Sequence, residues 1–249
     1  MTSSISLTLI GTSGWMYNHW KGPFYPKKIS NEEMLNFYTD HFSTVETNST
    51  FYRLPSEKTV KNWKNKTPEH FIYAVKANQF ITHRKYLKDG RDTTKKFFDR
   101  IELMGNKIGP ILFQLPPKWN VNFERLKEFV EILPNDYLYV FEFRNNSWYT
   151  QKIYDLFKKY NIALCIHDLY GKITPQKITA DFTYIRFHGA SGRYYGDYPT
   201  EVLDQWAQRI YRWIQQKIRV FAYFNNDAFG WATKNALELK SKIENLIFF

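Results

Sequence analysis

Ionisable side chains recur at the ends of short apolar segments of this sequence. Glu142 and Arg144 end one such segment, and Arg186 and His188 end another. A carboxylate or an imidazole in an apolar setting can act as a general acid or base, and a guanidinium can hold an anionic substrate. A spacing of two residues places both members of each pair on one face of a β-strand. These residue types indicate proton transfer on an anion.

The same reasoning selects the full set of candidate site residues. The predicted catalytic residues are Glu46, Lys76, Glu142, Arg144 and His188. Either Glu142 or Glu46 is the acid or base, and Lys76, Arg144 and His188 hold or polarise the substrate. The predicted substrate-binding residues are Trp15, Asn48, Tyr52, Gln114, Trp148, His167, Arg186, Arg193, Asn225 and Asp227.

Repeated βα units must position these side chains. Eight strands, whose starts lie about 30 residues apart, alternate with amphipathic stretches, and this predicts an α/β fold of the (β/α)8 TIM-barrel type with parallel strands and outer helices. The whole chain, 1–249, is expected to form one barrel domain. The predicted strands are Thr8–Thr12, Thr44–Asn48, Phe71–Lys76, Pro110–Leu115, Leu138–Arg144, Ala163–His167, Thr183–His188 and Val220–Asn225.

Two helices can be predicted from their sequence signals. Ser30 and Glu33 have the spacing of a capping box, in which both side chains satisfy backbone N–H groups, and an apolar face with Met34 and Phe37 follows. A second amphipathic helix is expected from Thr200 to Ile214. Both should pack outside the barrel.

The charges at the predicted strand ends need partners. Parallel strands are covered on both faces and usually read as apolar, and an unpaired buried charge costs several kcal/mol. Glu46 and Glu142 are balanced by Lys76 and Arg144, so the four could form one self-satisfying ring at the barrel mouth. The alternative is an ion-pair network that stabilises the fold and has no catalytic role.

A divalent metal is the alternative to a metal-free site. Carboxylate and imidazole ligands would come from Glu46, Glu142, His167, Asp168 and His188. Lys76 and Arg144 would repel a cation, and no close-spaced ligand motif occurs. We therefore expect no cofactor and no metal ligands.

Two loops could contribute to substrate binding. Gly189–Gly196 follows the seventh predicted strand, where barrels often bind phosphate, and Arg193 could close on the anion. The alternative is a mobile lid with glycine hinges. The aromatic segment from Trp15 to Tyr25 could stack on a planar ligand, or it could cap the barrel core. Tyr52 and Trp148 carry the same two interpretations.

Composition indicates which partners and which cellular compartment to expect for the protein. The net charge is +11, which favours anionic partners. The single cysteine, Cys165, excludes an intramolecular disulfide and is typical of a reducing compartment. No signal peptide or apolar run of about 20 residues is present, so we expect a cytoplasmic protein without a membrane role.

Several motifs occur together and in order along nearly the whole chain. They are Ile10-Gly11-Thr12-Ser13-Gly14-Trp15, Glu46-Thr47-Asn48-Ser49-Thr50-Phe51-Tyr52, Phe113-Gln114-Leu115-Pro116, Glu142-Phe143-Arg144, Arg186-Phe187-His188-Gly189 and Phe224-Asn225-Asn226-Asp227. This set resembles the YecE-like proteins, domain of unknown function family 72. The resemblance implies a TIM-type barrel and an enzyme group without an assigned reaction, so it transfers no catalytic residues.

Three hypotheses for function follow. The leading one is an enzyme that uses acid/base chemistry on a small anionic substrate of phosphorylated or nucleotide-like character. The second is a nucleic-acid-binding or processing protein, suggested by the net charge and the basic segment His83 to Arg91. The third is a non-catalytic barrel that binds a ligand or partner. The sequence does not define an oligomeric state.

Overall fold

The computed structural model describes residues 7–88, 90–169 and 171–248. The strands are β1 (Thr8–Thr12), β2 (Thr44–Thr47), β3 (Ile72–Lys76), β4 (Ile108–Gln114), β5 (Tyr139–Glu142), β6 (Ala163–Leu169), β7 (Lys172–Ile173), β8 (Phe182–Phe187) and β9 (Arg219–Phe224). The helices are α1 (Met34–Thr39), α2 (Ser49–Tyr52), α3 (Glu57–Asn65), α4 (Gly90–Ile101), α5 (Phe123–Glu131), α6 (Gln151–Lys159), α7 (Thr200–Gln215) and α8 (Trp231–Phe248). Within these described ranges, no helix is both long enough and apolar enough to cross a membrane.

Eight of these strands follow the order β1-β9-β8-β6-β5-β4-β3-β2, and the pairs with a defined register within this order are parallel. The two-residue strand β7 is an antiparallel addition to β6 that the sequence did not indicate. The predicted (β/α)8 TIM-type fold is confirmed, and each predicted strand is present with ends shifted by at most two residues. Asn48, Arg144, His188 and Asn225 lie just beyond the strands that were predicted to contain them.

The chain divides into two compact units. The first comprises Met1–Glu46, Ile166–Gln176 and Asp181–Phe249, and the second comprises Thr47–Cys165 and Lys177–Ala180. The boundaries fall inside β2 and β6, so each unit contains about half of the parallel strands. The assignment of the chain to one domain stays a prediction.

In the first unit, aromatic packing fixes the ends of two strands. Trp206 on α7 is buried and meets the Phe187 ring at the end of β8 at a centroid distance of 5.1 Å. Phe187 in turn stacks on Phe224 at the end of β9 at 4.2 Å. Offset aromatic pairs of this kind contribute about 1 kcal/mol beyond the area they bury. The residues that follow, His188 and Asn225, are therefore held on a rigid base.

The second unit has an equivalent aromatic layer beneath β5. Phe141 stacks on Phe113 of β4 at 5.2 Å and contacts Phe157 of α6 at 5.3 Å. Phe143 also packs on Phe157. Glu142 lies between Phe141 and Phe143 in the sequence. Because residues alternate along a strand, its side chain faces the opposite side of the sheet. The layer thus fixes the direction of the Glu142 side chain.

The first helix begins differently from the prediction. Glu33 accepts from the Ser30 backbone N–H at 3.0 Å, which is one half of a capping box. The Ser30 hydroxyl, however, donates to the same carboxylate at 2.6 Å instead of capping the helix. The predicted reciprocal capping box is therefore wrong in this half, and α1 begins only at Met34. These hydrogen bonds lower the pKa of the Glu33 carboxyl.

Candidate functional site

A completely enclosed ion pair lies in the first unit. Arg186 donates to Glu46 Oε1 at 2.7 Å, and the two residues are 1% and 0% exposed. Ser13 Oγ donates to the same oxygen at 2.6 Å, and the Tyr184 hydroxyl donates to Oε2 at 2.6 Å. Burial, together with the adjacent Glu46 carboxylate, raises the pKa of Tyr184, so this hydroxyl keeps its proton. The carboxylate is thus held by three donors.

This arrangement corrects the predicted ring of four charges. The positive partner of Glu46 is Arg186, whereas the sequence paired Glu46 with Lys76 and Arg144. Both oxygens of Glu46 accept strong hydrogen bonds and neither is exposed, so the geometry favours a stabilising role for this residue. Sequence reasoning missed Tyr184, although its position two residues before Arg186 was a signal that both face the same way.

A histidine group in the same unit combines His167 of β6 with His188 and Asn225, which directly follow β8 and β9. His188 is completely buried, and His167 and Asn225 are each 7% exposed. The two imidazole rings lie 5.6 Å apart in an edge-on arrangement. The Asn225 side-chain amide N–H donates to His188 Nδ1 at 3.3 Å. With the amide oriented this way, Nδ1 is an acceptor, and the neutral ring carries its proton on Nε2.

Backbone hydrogen bonds hold His188 and Asn225 just beyond the ends of β8 and β9. The His188 N–H donates to the Asp168 carbonyl at 2.8 Å, and the Asn225 N–H donates to the Phe187 carbonyl at 2.8 Å. Side chains on such extensions of strands are held more precisely than side chains on loops. The predicted residues His167, His188 and Asn225 are therefore brought together on a rigid support.

The loop after β8 packs directly against His188. The Tyr194 N–H donates to the His188 carbonyl at 2.6 Å, and the two rings meet edge-on at 5.6 Å. The exposed Arg193 guanidinium lies 5.1 Å from the centre of the Tyr194 ring. Arg193 thus places a positive charge beside the aromatic ring that packs on His188.

The glycines of this loop do not leave its backbone donors available as a phosphate cradle. Gly189 has φ of 122°, and its N–H donates to the Tyr198 hydroxyl at 3.0 Å. Gly192 and Tyr195 exchange backbone hydrogen bonds at 3.0 and 3.1 Å. Since these donors are already used within the protein, an anion would be held chiefly by Arg193. Phosphate binding stays a prediction.

Beneath the loop lies a buried carboxyl group. Asp168 is 2% exposed, and its Oδ1 atom makes no hydrogen bond with the described residues. Burial raises the pKa of Asp168 to about 6, and hydrogen bonds from the Gly171 N–H and the Tyr198 hydroxyl partly oppose this rise. The Tyr198 hydroxyl therefore links Asp168 to the Gly189 N–H at the start of the loop.

We expect Asp168→Asn to remove one contribution to the pH dependence of stability. Asp168 titrates near 6 when folded and near 3.8 when unfolded, so between these values the folded state binds more protons. The free energy of unfolding contributed by this group then falls as pH rises through that window. Relative to the parent protein, Asp168→Asn should gain about 2 kcal/mol between pH 4.5 and 7.5 in urea titrations. Parallel pH profiles for the two proteins would contradict this.

The second unit contains another charged group. Arg144 donates to Glu142 Oε1 at 2.5 Å, and Gln114 donates to the same oxygen at 3.0 Å. Glu142 is completely buried, and the Arg144 side chain is 15% exposed. The predicted pairing of Glu142 with Arg144 is confirmed. Because both donors favour the charged form, the arrangement favours an anionic Glu142 as acceptor or base.

Lys76 forms a third group, at the end of β3. It is 8% exposed, and its ammonium lies 4.2 Å from the centre of the Phe51 ring. His83 packs edge-on against the same ring at 5.1 Å. Burial and the Lys76 charge lower the pKa of His83, so its ring is neutral at physiological pH. The catalytic role of Lys76 stays a prediction.

The aromatic residues that were predicted to contact a ligand differ in burial. Trp15 is 5% exposed and Trp148 is fully buried, so both belong to the packed interior. The Trp148 ring stacks on Phe143 at 5.1 Å, and its Nε1 donates to the Trp119 carbonyl at 2.7 Å. Tyr52, by contrast, is 72% exposed. The interpretation of aromatic residues as a cap of the core fits Trp15 and Trp148.

The remaining polar candidates lie at loop positions. Asn48 is half-buried at the residue before α2. The Asp227 carbonyl accepts from the Trp20 indole N–H at 2.8 Å, and its carboxylate lies 3.6 Å from His19 Nε2. Burial raises the pKa of Asp227, while the nearby His19 opposes this rise. Substrate contact by either residue stays a prediction.

Two adjacent imidazoles are also groups that transition metals accept as ligands. In the first unit, His167 and His188 supply two such nitrogens, and Asn225 faces His188 with its amide nitrogen, which does not bind metals. The expectation that no metal ion or cofactor is required stays a prediction.

Comparison with known proteins identifies the family. A family model described as protein of unknown function DUF72 matches residues 9–246. YunF of Bacillus subtilis (strain 168), a UPF0759 protein, is 28% identical over 92% of this chain and 92% of its own length. YecE of Escherichia coli (strain K12) is 29% identical over 47% of this chain and 43% of its own length. The crystal structure of a DUF72 family protein from Thermotoga maritima superimposes with a TM-score of 0.83 at 28% identity, covering 95% of this chain and 99% of that one. The chain therefore belongs to the DUF72 family, as its sequence motifs predicted.

Proposed function

We propose that this protein is an enzyme that transfers a proton on a small anionic substrate, with His188 as the acid or base. The observation that carries the proposal is the buried imidazole whose Nδ1 accepts from Asn225 at 3.3 Å. Fixing one ring nitrogen in this way sets the tautomer of the ring, and in this proposal Nε2 carries the proton that is transferred. In TIM barrels, catalytic groups follow the carboxyl ends of the strands, and His188 and Asn225 directly follow β8 and β9.

The surroundings of His188 support an anionic substrate. The Arg193 guanidinium lies on the Tyr194 ring, which itself packs on His188. The chain as a whole carries a net charge of +11, which attracts anions from solution. In this proposal Arg193 holds the anionic group, Asn225 is a positioning residue, and His167 shapes the other side of the imidazole.

Deuterium exchange tests this proposal directly, because it detects proton transfer even where the product is the same compound as the substrate. Phosphorylated and carboxylated metabolites are incubated with the protein in D2O, and loss of C–H signals is followed by NMR. We expect at least one metabolite to exchange, and His188→Gln should slow that exchange about a hundredfold or more, because general acid–base catalysis contributes that much. Exposed His19, in the same unit, provides the matched control as His19→Gln.

The control should exchange at the parental rate. If no metabolite in a broad library exchanges, or if His188→Gln and His19→Gln behave alike, the proposal is wrong. Arg193→Ala separates binding from chemistry: it should raise KM far more than it lowers kcat, since its proposed role is to hold the anion.

A further inference from the structure

Three aromatic rings form an exposed cluster in the first unit. Tyr195 belongs to the loop after β8, Phe229 to a short 3-10 turn, and Trp231 is the first residue of α8. The Trp231 ring lies 4.9 Å from Tyr195 and 5.0 Å from Phe229, and the latter two are 6.2 Å apart. Tyr195 is 48% exposed and Phe229 is 65% exposed. We call these three residues the aromatic trio.

Two features of Phe229 are unfavourable for the stability of the folded state. Its backbone has φ of 55° and ψ of 14°, the left-handed conformation that residues with a β-carbon adopt only under strain. Its ring, meanwhile, remains largely in water. Neither feature helps the chain to fold, whereas strained residues and exposed apolar clusters are both concentrated at binding sites. The position of Phe229 therefore indicates a ligand.

The aromatic trio is continuous with the histidine group. Tyr195 directly follows Tyr194, whose ring and N–H contact His188. Arg193, one residue earlier, adds the positive charge. One short segment thus joins an aromatic surface, a cation and the proposed acid or base. A ligand that used all three would combine a planar ring with an anionic group.

We infer that the aromatic trio is a stacking subsite for the planar heteroaromatic ring of an anionic substrate of the nucleoside monophosphate class. The placement of the reacting part of that substrate at His188 rests on the proposed function; the stacking subsite itself does not. Bases stack on aromatic side chains regardless of sequence, because every base has a π-face. Arg193 accounts for the preference for a charged ligand.

Calorimetric titration with two ligands tests this subsite. AMP and ribose 5-phosphate carry the same phosphate and sugar, but only AMP carries a planar base. We expect the parent protein to bind AMP about tenfold more tightly than ribose 5-phosphate, which corresponds to stacking of one base. Phe229→Ala should remove most of this preference while leaving ribose 5-phosphate binding unchanged.

Phe248 provides a matched control. It is 63% exposed and is the last residue of α8, about 26 Å along the helix from Trp231. Phe248→Ala should keep the tenfold preference. Phe229→Gly relieves the backbone strain, so it should lose the preference without lowering the urea midpoint. A loss of AMP preference in Phe229→Gly therefore cannot be assigned to unfolding.

Each other outcome overturns the inference. The inference is wrong if the two ligands bind equally, or if AMP does not bind at millimolar concentration. It is also wrong if Phe229→Ala and Phe248→Ala have equal effects. If a single-stranded oligonucleotide bound more tightly than AMP, the ligand of this subsite would be a nucleic acid and not a small molecule. Because binding is measured without turnover, AMP stacking without deuterium exchange refutes only the proposed function, and exchange without AMP preference refutes only the subsite.

Discussion

Arg186→Ala should lower the free energy of unfolding by about 3–5 kcal/mol, because it leaves the buried Glu46 carboxylate without its counter-ion. Glu46 is 0% exposed, so bulk solvent does not screen the charge that is left behind. Ser13 and Tyr184 would still donate to the carboxylate, but neither carries a charge. Urea unfolding at pH 7, followed by circular dichroism, measures the loss directly.

Two further variants separate the ion pair from the packing around it. Glu46→Gln/Arg186→Met removes both charges and retains an acceptor for one of the two hydroxyls, while the other hydroxyl can accept from the new amide N–H, so it should recover more than half of the loss. Arg193→Ala, which removes an exposed arginine of the same unit, should change stability by no more than about 0.5 kcal/mol. A loss below about 1 kcal/mol in Arg186→Ala would show that the pair contributes little.

The contrast between the two carboxylates shows which features of the candidate site the sequence can predict. Glu142 ends β5 and Arg144 follows two residues later, and the periodicity of the predicted strand alone places their side chains together. Glu46 and Arg186 are 140 residues apart and come from β2 and β8. No local pattern links them, because the contact depends on which strands approach each other and on the length of each side chain. The sequence therefore identified both carboxylates, but its balanced set of four charges did not include Arg186, the partner of Glu46.

The fold was more predictable than the site for a related physical reason. β9 was predicted as Val220–Asn225 and is Arg219–Phe224, since buried parallel strands need continuous apolar residues and the polar Asn225 ends the run. Helix α7 agrees in the same way, because the apolar stripe with Leu203, Trp206 and Ile210 must be covered. Such signals are local. The antiparallel β7, only two residues long, is too short to carry one.

Aromatic residues after a strand are the least predictable part of the site. Trp148 and Phe229 both follow strands in loop segments, yet one is completely buried and the other 65% exposed. Each is a large aromatic residue in a short 3-10 turn, and the difference comes from backbone geometry. A 3-10 turn at Asn146–Trp148 folds the Trp148 ring onto Phe143, whereas the left-handed conformation of Phe229 turns its ring toward solvent. Sequence alone cannot select between these conformations.

Trp148 therefore provides a sharp test of whether a predicted ligand contact is part of the core. Its ring is 0% exposed, stacks on Phe143 and meets Trp119 at 5.0 Å, and its Nε1 donates to the Trp119 carbonyl. Trp148→Ala should lower the free energy of unfolding by about 3–5 kcal/mol, the range for removing a large buried aromatic side chain. Urea unfolding measures this change.

A milder variant distinguishes packing from hydrogen bonding at the same position. Trp148→Phe keeps a ring on Phe143 but loses the indole N–H, and it should cost less than half as much as Trp148→Ala. Exposed Tyr52, a predicted ligand contact in the same unit, is the control: Tyr52→Ala should cost no more than about 0.5 kcal/mol. If Trp148→Ala were as stable as Tyr52→Ala, the ring would not be holding the segment after β5, and a ligand-binding role for Trp148 would again be the better explanation.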